Sequence, residues 1–267
     1  MPEAHYQGLA SDGLPLVTPS DEAFATRLRS IRDNCWFPVP EVHDEPAAIL
    51  VNLTGQTILA FAIVWRYTDP AGESRTHRIS TLSSSRQIEA LCGRAGVGPD
   101  DHTFVLPGSQ RLITQQGIYG DNHDVIPPEV RRRSGFGGGG SAGGTAPGGF
   151  NRIELSLDVV FLEDGRVLGP DTSDLFRGMV STFAAQRQLA WEMIAALRRG
   201  ATVGACFDLL RPLGLADRSQ HDGLHSLRHM FLHRATHVLL HLPEDEILAW
   251  AEREAEPPRL HLHRALT

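Results

Sequence analysis

The sequence predicts an α+β protein, with a β-sandwich over roughly residues 45–170 followed by a helical C-terminal region over 171–267. Three observations predict it. Between about 46 and 118 short apolar stretches of strand length fall between turn signals, and from Ile153 to Leu162 apolar residues alternate. From Ser173 to Arg199 the apolar spacing becomes that of an amphipathic helix. Residues 1–44 sustain neither pattern and read as an N-terminal arm with a short helix.

That short helix starts near Thr18-Pro19-Ser20-Asp21-Glu22 and puts Phe24, Leu28 and Ile31 on one side. Pro38 and Pro40 end it. Ala48–Leu53 is a short apolar strand closed by Thr54-Gly55. Gln56–Thr68 follows, with Thr57, Leu59, Phe61, Ile63, Trp65 and Tyr67 on one face and Ile58, Ala60, Ala62 and Val64 on the other. Both faces are apolar, so the strand is expected inside the sheet, covered on two sides. Asp69-Pro70-Ala71-Gly72 turns the chain into a more polar strand, Arg75–Leu82. Residues 84–95 read as a short helix. Thr103–Leu106, Pro107-Gly108 and Gln110–Gln116 read as strand, turn and strand. Residues 131–150 are a glycine-rich loop, too costly in backbone entropy to pack as an element. Ile153–Leu162 is the next strand, and Glu163-Asp164-Gly165-Arg166 is a hairpin turn.

Helices occupy the remainder. Ser173–Arg199 spans about 26 residues, roughly 39 Å at 1.5 Å per residue. Its apolar positions are Phe176, Met179, Val180, Phe183, Ala190, Trp191, Ile194 and Leu197, and Gly200 stops it. A second helix covers Thr202–Leu210 and ends near Pro212-Leu213-Gly214. A third begins at Ser219, with Asp222 completing a capping box, and runs to His241. A fourth, acidic helix follows Pro243. Trp65, Trp191 and Trp250 fall on apolar positions and are expected in the core, as is Cys206.

Composition limits the function classes. Of 267 residues, 41% are hydrophobic, enough for a real core, and the formal charge of −7 argues against a general nucleic-acid binder. All 25 basic residues are arginine, which reads as the codon bias of a GC-rich bacterial genome. Lysine chemistry is excluded with them. Three scattered cysteines, Cys35, Cys92 and Cys206, make neither a disulfide framework nor a zinc knuckle. The apolar run Ile58–Trp65 is far short of a membrane span. No signal peptide is visible after Met1, so a cytoplasmic location is expected, or an exported one if residue 1 begins a processed form.

Val51-Asn52-Leu53-Thr54 through Trp65, then Leu157-Asp158-Val159-Val160-Phe161-Leu162-Glu163-Asp164-Gly165, Gly169-Pro170-Asp171 and a long helix resemble uncharacterised bacterial immunoglobulin-like β-sandwich proteins. The likeness covers about half the chain and implies an immunoglobulin-like sandwich. Its motifs are turn and core residues, so it implies no site residues. Such proteins are usually exported.

The least random feature is a histidine ladder: His221, His225, His229, His233, His237 and His241 fall four apart. At 100° per residue, a step of four overshoots one turn by about 40°, so the ladder is a shallow spiral whose middle faces away from the apolar stripe of Leu224, Leu227, Phe231, Ala235, Val238 and Leu242. Three readings fit. The plainest is a polar helix face built from histidine in a lysine-free chain. The second is a zinc or nickel site on His225, His229, His233 and His237, completed by His261 and His263 or by a symmetry mate. The third is a surface that charges as the pH falls. The glutamate of a zinc-protease helix is missing.

Two glycine matches, Gly135-x-Gly137-x-x-Gly140 and Gly139-x-Ser141-x-Gly143, lack the flanking strand and helix that nucleotide binding or a nucleophile elbow requires. The adjoining Arg131, Arg132 and Arg133 could touch an acidic partner. Asp100-Asp101-His102 and Asp121-Asn122-His123-Asp124 are polar loop clusters able to hold a cation or to contribute to an enzyme site assembled from dispersed loops. Asn52-Leu53-Thr54 fits a glycosylation acceptor at a strand turn. No nucleophile, base and acid stand together. The sequence therefore favours a non-enzymatic binding or scaffold protein working through a protein partner or a homo-oligomer, with metal binding as the alternative and an enzyme as the weakest reading.

Overall fold

A computed structural model describes residues 3–35, 39, 41–42, 46–82, 85–98, 104–115, 117–120, 150–214, 222–256 and 263–264. Among them the chain is a mixture of α and β: two sheets and six α-helices. The strands are β1 (Glu3–Gln7), β2 (Leu16–Val17), β3 (Ala47–Val51), β4 (Ile58–Thr68), β5 (Ser74–Ser80), β6 (Gln110–Thr114), β7 (Gly117–Gly120), β8 (Arg152–Leu162), β9 (Arg166–Leu168) and β10 (His263–Arg264). The helices are α1 (Phe24–Asn34), α2 (Ser85–Leu91), α3 (Leu175–Arg198), α4 (Val203–Gly214), α5 (Asp222–His241) and α6 (Glu244–Ala255).

The larger sheet has the order β10-β9-β8-β4-β5. Strand β1 lies parallel to β8 from Glu3↔Arg152 to Gln7↔Ser156, and β9 takes the edge further along, at Val160↔Leu168 and Phe161↔Val167. The smaller sheet, β2-β3-β6-β7, is antiparallel throughout. Residues 1–44, expected as an arm, thus contribute one strand to each sheet. Each strand satisfies its backbone groups on a neighbour that would otherwise present an open edge.

The two sheets share one core, in which Phe61, Ile63, Trp65, Leu155 and Leu157 meet Ala48, Leu50 and Ile113. Helices cover the outer faces. Phe24 and Ile31 of α1 pack on Ile49, Val51 and Leu112. Ile88 and Leu91 of α2, with Leu175, Met179 and Phe183 of α3, pack on Leu59, Ala60, Ala62, Val159 and Phe161. Burial on both faces explains why β3 and β4 are apolar at nearly every position.

One detail of β4 departs from simple alternation. Its register against β8 shifts between Ile58 and Ala60 and between Ala62 and Ile63. Leu59, expected beside Phe61, instead packs under the helices, while Ile58 joins the inter-sheet core. A bulge inserts a residue and turns the following side chains over. In the helices, α4 runs to Gly214, within the expected Pro212-Leu213-Gly214 stop. A proline so near a helix end forfeits few hydrogen bonds.

The passage from sheet to helix is fixed by two aspartates. Asp158 on β8 is 1% exposed. Its Oδ1 accepts the N–H and the hydroxyl of Thr172, each at 2.7 Å, and its Oδ2 accepts the N–H and the hydroxyl of Ser173. The carboxylate of Asp171 accepts the N–H groups of Leu175 at 2.8 Å and Phe176 at 3.2 Å, capping the first turn of α3. Gly169 is required here. Its φ is +96°, and a Cβ would stand 2.4 Å from the carbonyl oxygen of Asp158.

Replacing Asp158 by alanine strands four donors at this joint. Urea denaturation of Asp158→Ala should show a loss of about 3 kcal/mol, the penalty for buried donors without acceptors. A loss below about 1 kcal/mol would show that water satisfies the turn equally well.

Candidate functional site

The structure brings the end of the sheet unit and the last two helices together around the histidine ladder. A third core lies among the helices: Leu189, Met193, Ile194 and Leu197 of α3, Cys206 and Leu210 of α4, Phe231, Ala235, Val238 and Leu239 of α5, and Ile247, Trp250 and Ala251 of α6. The ring of Phe231 tilts against Trp250 at a centroid distance of 5.9 Å.

This docking fixes the rotation of α5. Phe231, Ala235 and Val238 face inward, and His229, His233, His237 and His241 are exposed on successive turns. Leu240 stands among them, 61% exposed. The rings of His237 and His241 are in contact, with centroids 4.7 Å apart and planes tilted by 55°. His233 and His237 also border a shallow open groove with Arg234 and Val238, floored by Trp250. Among the described residues, no three histidine, cysteine or acidic side chains converge on one point.

His221, His261, Arg131, Arg132, Arg133 and the clusters at 100–102 and 121–124 lie outside the described residues. So do the side chains of His225 and His263. The backbone of His263 pairs with Arg166 in β10. Asn52 is fully buried. Its amide donates to the carbonyls of Gln56 and Val105, each at 2.8 Å, and accepts from the N–H and the hydroxyl of Thr54. The Asn-x-Thr pattern therefore serves the turn. Trp191 corrects another expectation: it is 53% exposed, whereas Trp65 and Trp250 are buried.

A charge network beneath the ladder has no counterpart among the sequence motifs. Glu254 on α6 has a side chain only 6% exposed and accepts from Arg94 at 2.8 Å and from Arg234 at 2.7 Å. Arg234 reaches Glu89 of α2 with its other amino group, at 2.7 Å. Arg94 also donates to the carbonyl of Arg253. Four charges from α2, the loop after it, α5 and α6 thus close into one chain of ion pairs. No local signal marks such a set, because its members are 160 residues apart in the case of Arg94 and Glu254.

A small cavity of about 20 Å³ adjoins the network, lined by Cys92, Arg94, Gln186, Arg234 and Glu254 among others. That is room for about one water. The Nε2 of Gln186 is buried there without a hydrogen-bond partner among the described residues. Burial pushes the Cys92 thiol up to about 11, with Arg94 opposing the shift. Cys206, in the helical core, is also raised by burial. Among the described residues no helix is long and apolar enough to cross a membrane.

Comparison with protein-family models, with curated proteins and with solved structures gives no match.

Two expectations follow. Glu254→Gln leaves Arg94 and Arg234 facing a neutral amide in a nearly dry site and should cost about 3 kcal/mol in thermal unfolding. Glu252→Gln, which breaks an exposed pair with Arg198, should cost less than about 0.5 kcal/mol. Equal effects would show that Glu254 is solvated. The thiols give the second. A cysteine whose folded value lies above its ordinary 9.0 favours the neutral form in the fold. The stability it contributes is complete below pH 9 and is lost as the pH climbs towards about 11. Under native conditions at mildly alkaline pH, a thiol reagent should label half-buried Cys35 quickly, and Cys92 and Cys206 only after denaturant is added. Rapid labelling of all three would contradict this burial.

Proposed function

We propose that the protein is a non-enzymatic binding or scaffold protein that makes protein–protein contacts through the outward face of α3. The carrying observation is the exposure of Trp191, at 53%, on the same helix face as Val180, at 45%. Eleven residues at 100° each return to within about 20° of the starting direction, some 16 Å along the axis. Exposed Ala184 lies between them. Tryptophan is the residue type most often found as the anchor of a protein interface, where its large apolar area is withdrawn from water. The opposite side of α3 is committed to two cores, so the helix is held rigidly while this face stays free. We read the two-sheet frame as an immunoglobulin-like sandwich that carries this helix, a reading supported by the single core common to both sheets.

Trp191→Asp tests the reading. Being at the surface, the substitution should leave stability within about 0.5 kcal/mol of the parent. It should abolish the association seen for the parent chain by light scattering after gel filtration, either with itself or with a partner recovered from the native cell. A parent that stays strictly monomeric and retains no partner refutes the proposal.

A further inference from the structure

The imidazole pair at the end of α5 is a second surface, independent of the α3 face. His237 and His241 are spaced four apart, both are exposed, and their rings already touch at a centroid separation of 4.7 Å. Two imidazole nitrogens that share one ion at metal–nitrogen distances of about 2.0–2.1 Å must come within about 3 Å of each other. Nitrogens sit on the ring perimeter, so rings with centroids at this separation need only a modest side-chain rotation to bring them that close.

Two electrostatic features favour a cation at this point. The pair occupies the last two turns of α5, where the unpaired carbonyls concentrate negative potential. Three residues after His241, the first turn of α6 opens with Glu244, Asp245 and Glu246, all exposed. The nearest cation in sequence, Arg234, is spent on Glu89 and Glu254. Neither feature is shared by the middle of the ladder, where His233 sits directly beside Arg234.

We propose that His237 and His241 form a two-imidazole chelate for a borderline divalent transition ion of the Cu²⁺, Ni²⁺ and Zn²⁺ class. Water completes the coordination sphere. Neutral imidazole suits these ions, and their relative affinities follow the usual order, with Cu²⁺ tightest. Mg²⁺ and Ca²⁺, which take oxygen ligands, are not held. Only the neutral ring offers a lone pair, so binding releases any protons the rings carry and weakens in acid.

The test is isothermal titration of the full chain, made without an affinity tag, with Cu²⁺ and separately with Ni²⁺. The expected result is one tightest site per chain, with Cu²⁺ above Ni²⁺, no heat from Mg²⁺, and affinity falling as the buffer is moved from neutral to mildly acidic pH. His237→Gln and His241→Gln should each weaken that site by at least the roughly tenfold seen when even an outer partner of a metal ligand is removed. His229→Gln, two turns towards the helix start, should bind as the parent does. All three side chains are exposed, so the variants keep the fold, which circular dichroism checks. Unchanged affinity in His241→Gln, or an equal loss in His229→Gln, overturns the assignment. It does so whatever becomes of the Trp191 face.

Discussion

Glu254 is a carboxylate with almost no access to water, held between two guanidinium groups: Arg94 from the sheet side and Arg234 from α5. Much of the outward surface depends on that arrangement. Burial of Phe231, Ala235 and Val238 decides which side of α5 faces inward. Arg234 narrows the rotation that remains. Its two amino groups are fixed by carboxylates on two different elements, Glu89 and Glu254, so α5 has one rotation about its axis that satisfies both. His233 and His237 flank Arg234 at steps of −1 and +3, and that rotation turns them to solvent. The network is not a large source of net stability, since desolvating four charges offsets most of their attraction. Its effect is orientation.

Hydrogen-bonded carboxylates also fix the start of α3. The turn from β9 into the helix passes through Asp171 and Asp174, both with positive φ, a conformation that costs free energy outside glycine. Asp158 holds the turn by accepting from Thr172 and Ser173, and Asp171 caps the helix it begins. The first half of α3 therefore lies on the larger sheet and its second half stands in the helical core. One helix belongs to both cores, which couples the sheets to the surface formed by α5 and α6. The exposed face of the same helix, with Val180 and Trp191, is what remains after both cores have taken their share.

Much of the fold was legible. The alternation of Gln56–Thr68 and of Ile153–Leu162, the turn at Glu163-Asp164-Gly165 and the helical period after Ser173 each appear as elements within a few residues of their expected bounds. These signals are local, and the backbone responds to them locally. Trp191 could have been placed correctly. Counting 100° per residue from Met179 puts Phe183, Ala190, Met193 and Leu197 within about 40° of it, and Val180 and Trp191 at about 100–120°. Treating every apolar residue of the helix as one stripe hid that. Leu59 could not have been placed, because the bulge that turns it over is a property of the β4–β8 pairing. The short N-terminal strands were hidden for the same reason. Glu3–Gln7 has little apolar character of its own, and what makes it a strand is the free edge of β8.

Residue order alone required that α5 have an apolar side and a histidine side and that β4 be covered on both faces, and it leaves no lysine for any site. Those properties follow from residue type and from periods of 2 and 3.6 residues, which the backbone imposes without reference to anything distant. The tertiary structure alone decided which side of each helix was left uncovered, that helices close the outer faces of both sheets, and that Arg94, Glu89, Arg234 and Glu254 meet. These depend on contacts between segments far apart in the chain. Such contacts form only where the competing demands of two cores and a buried set of charges are satisfied at once, and no local pattern carries that information.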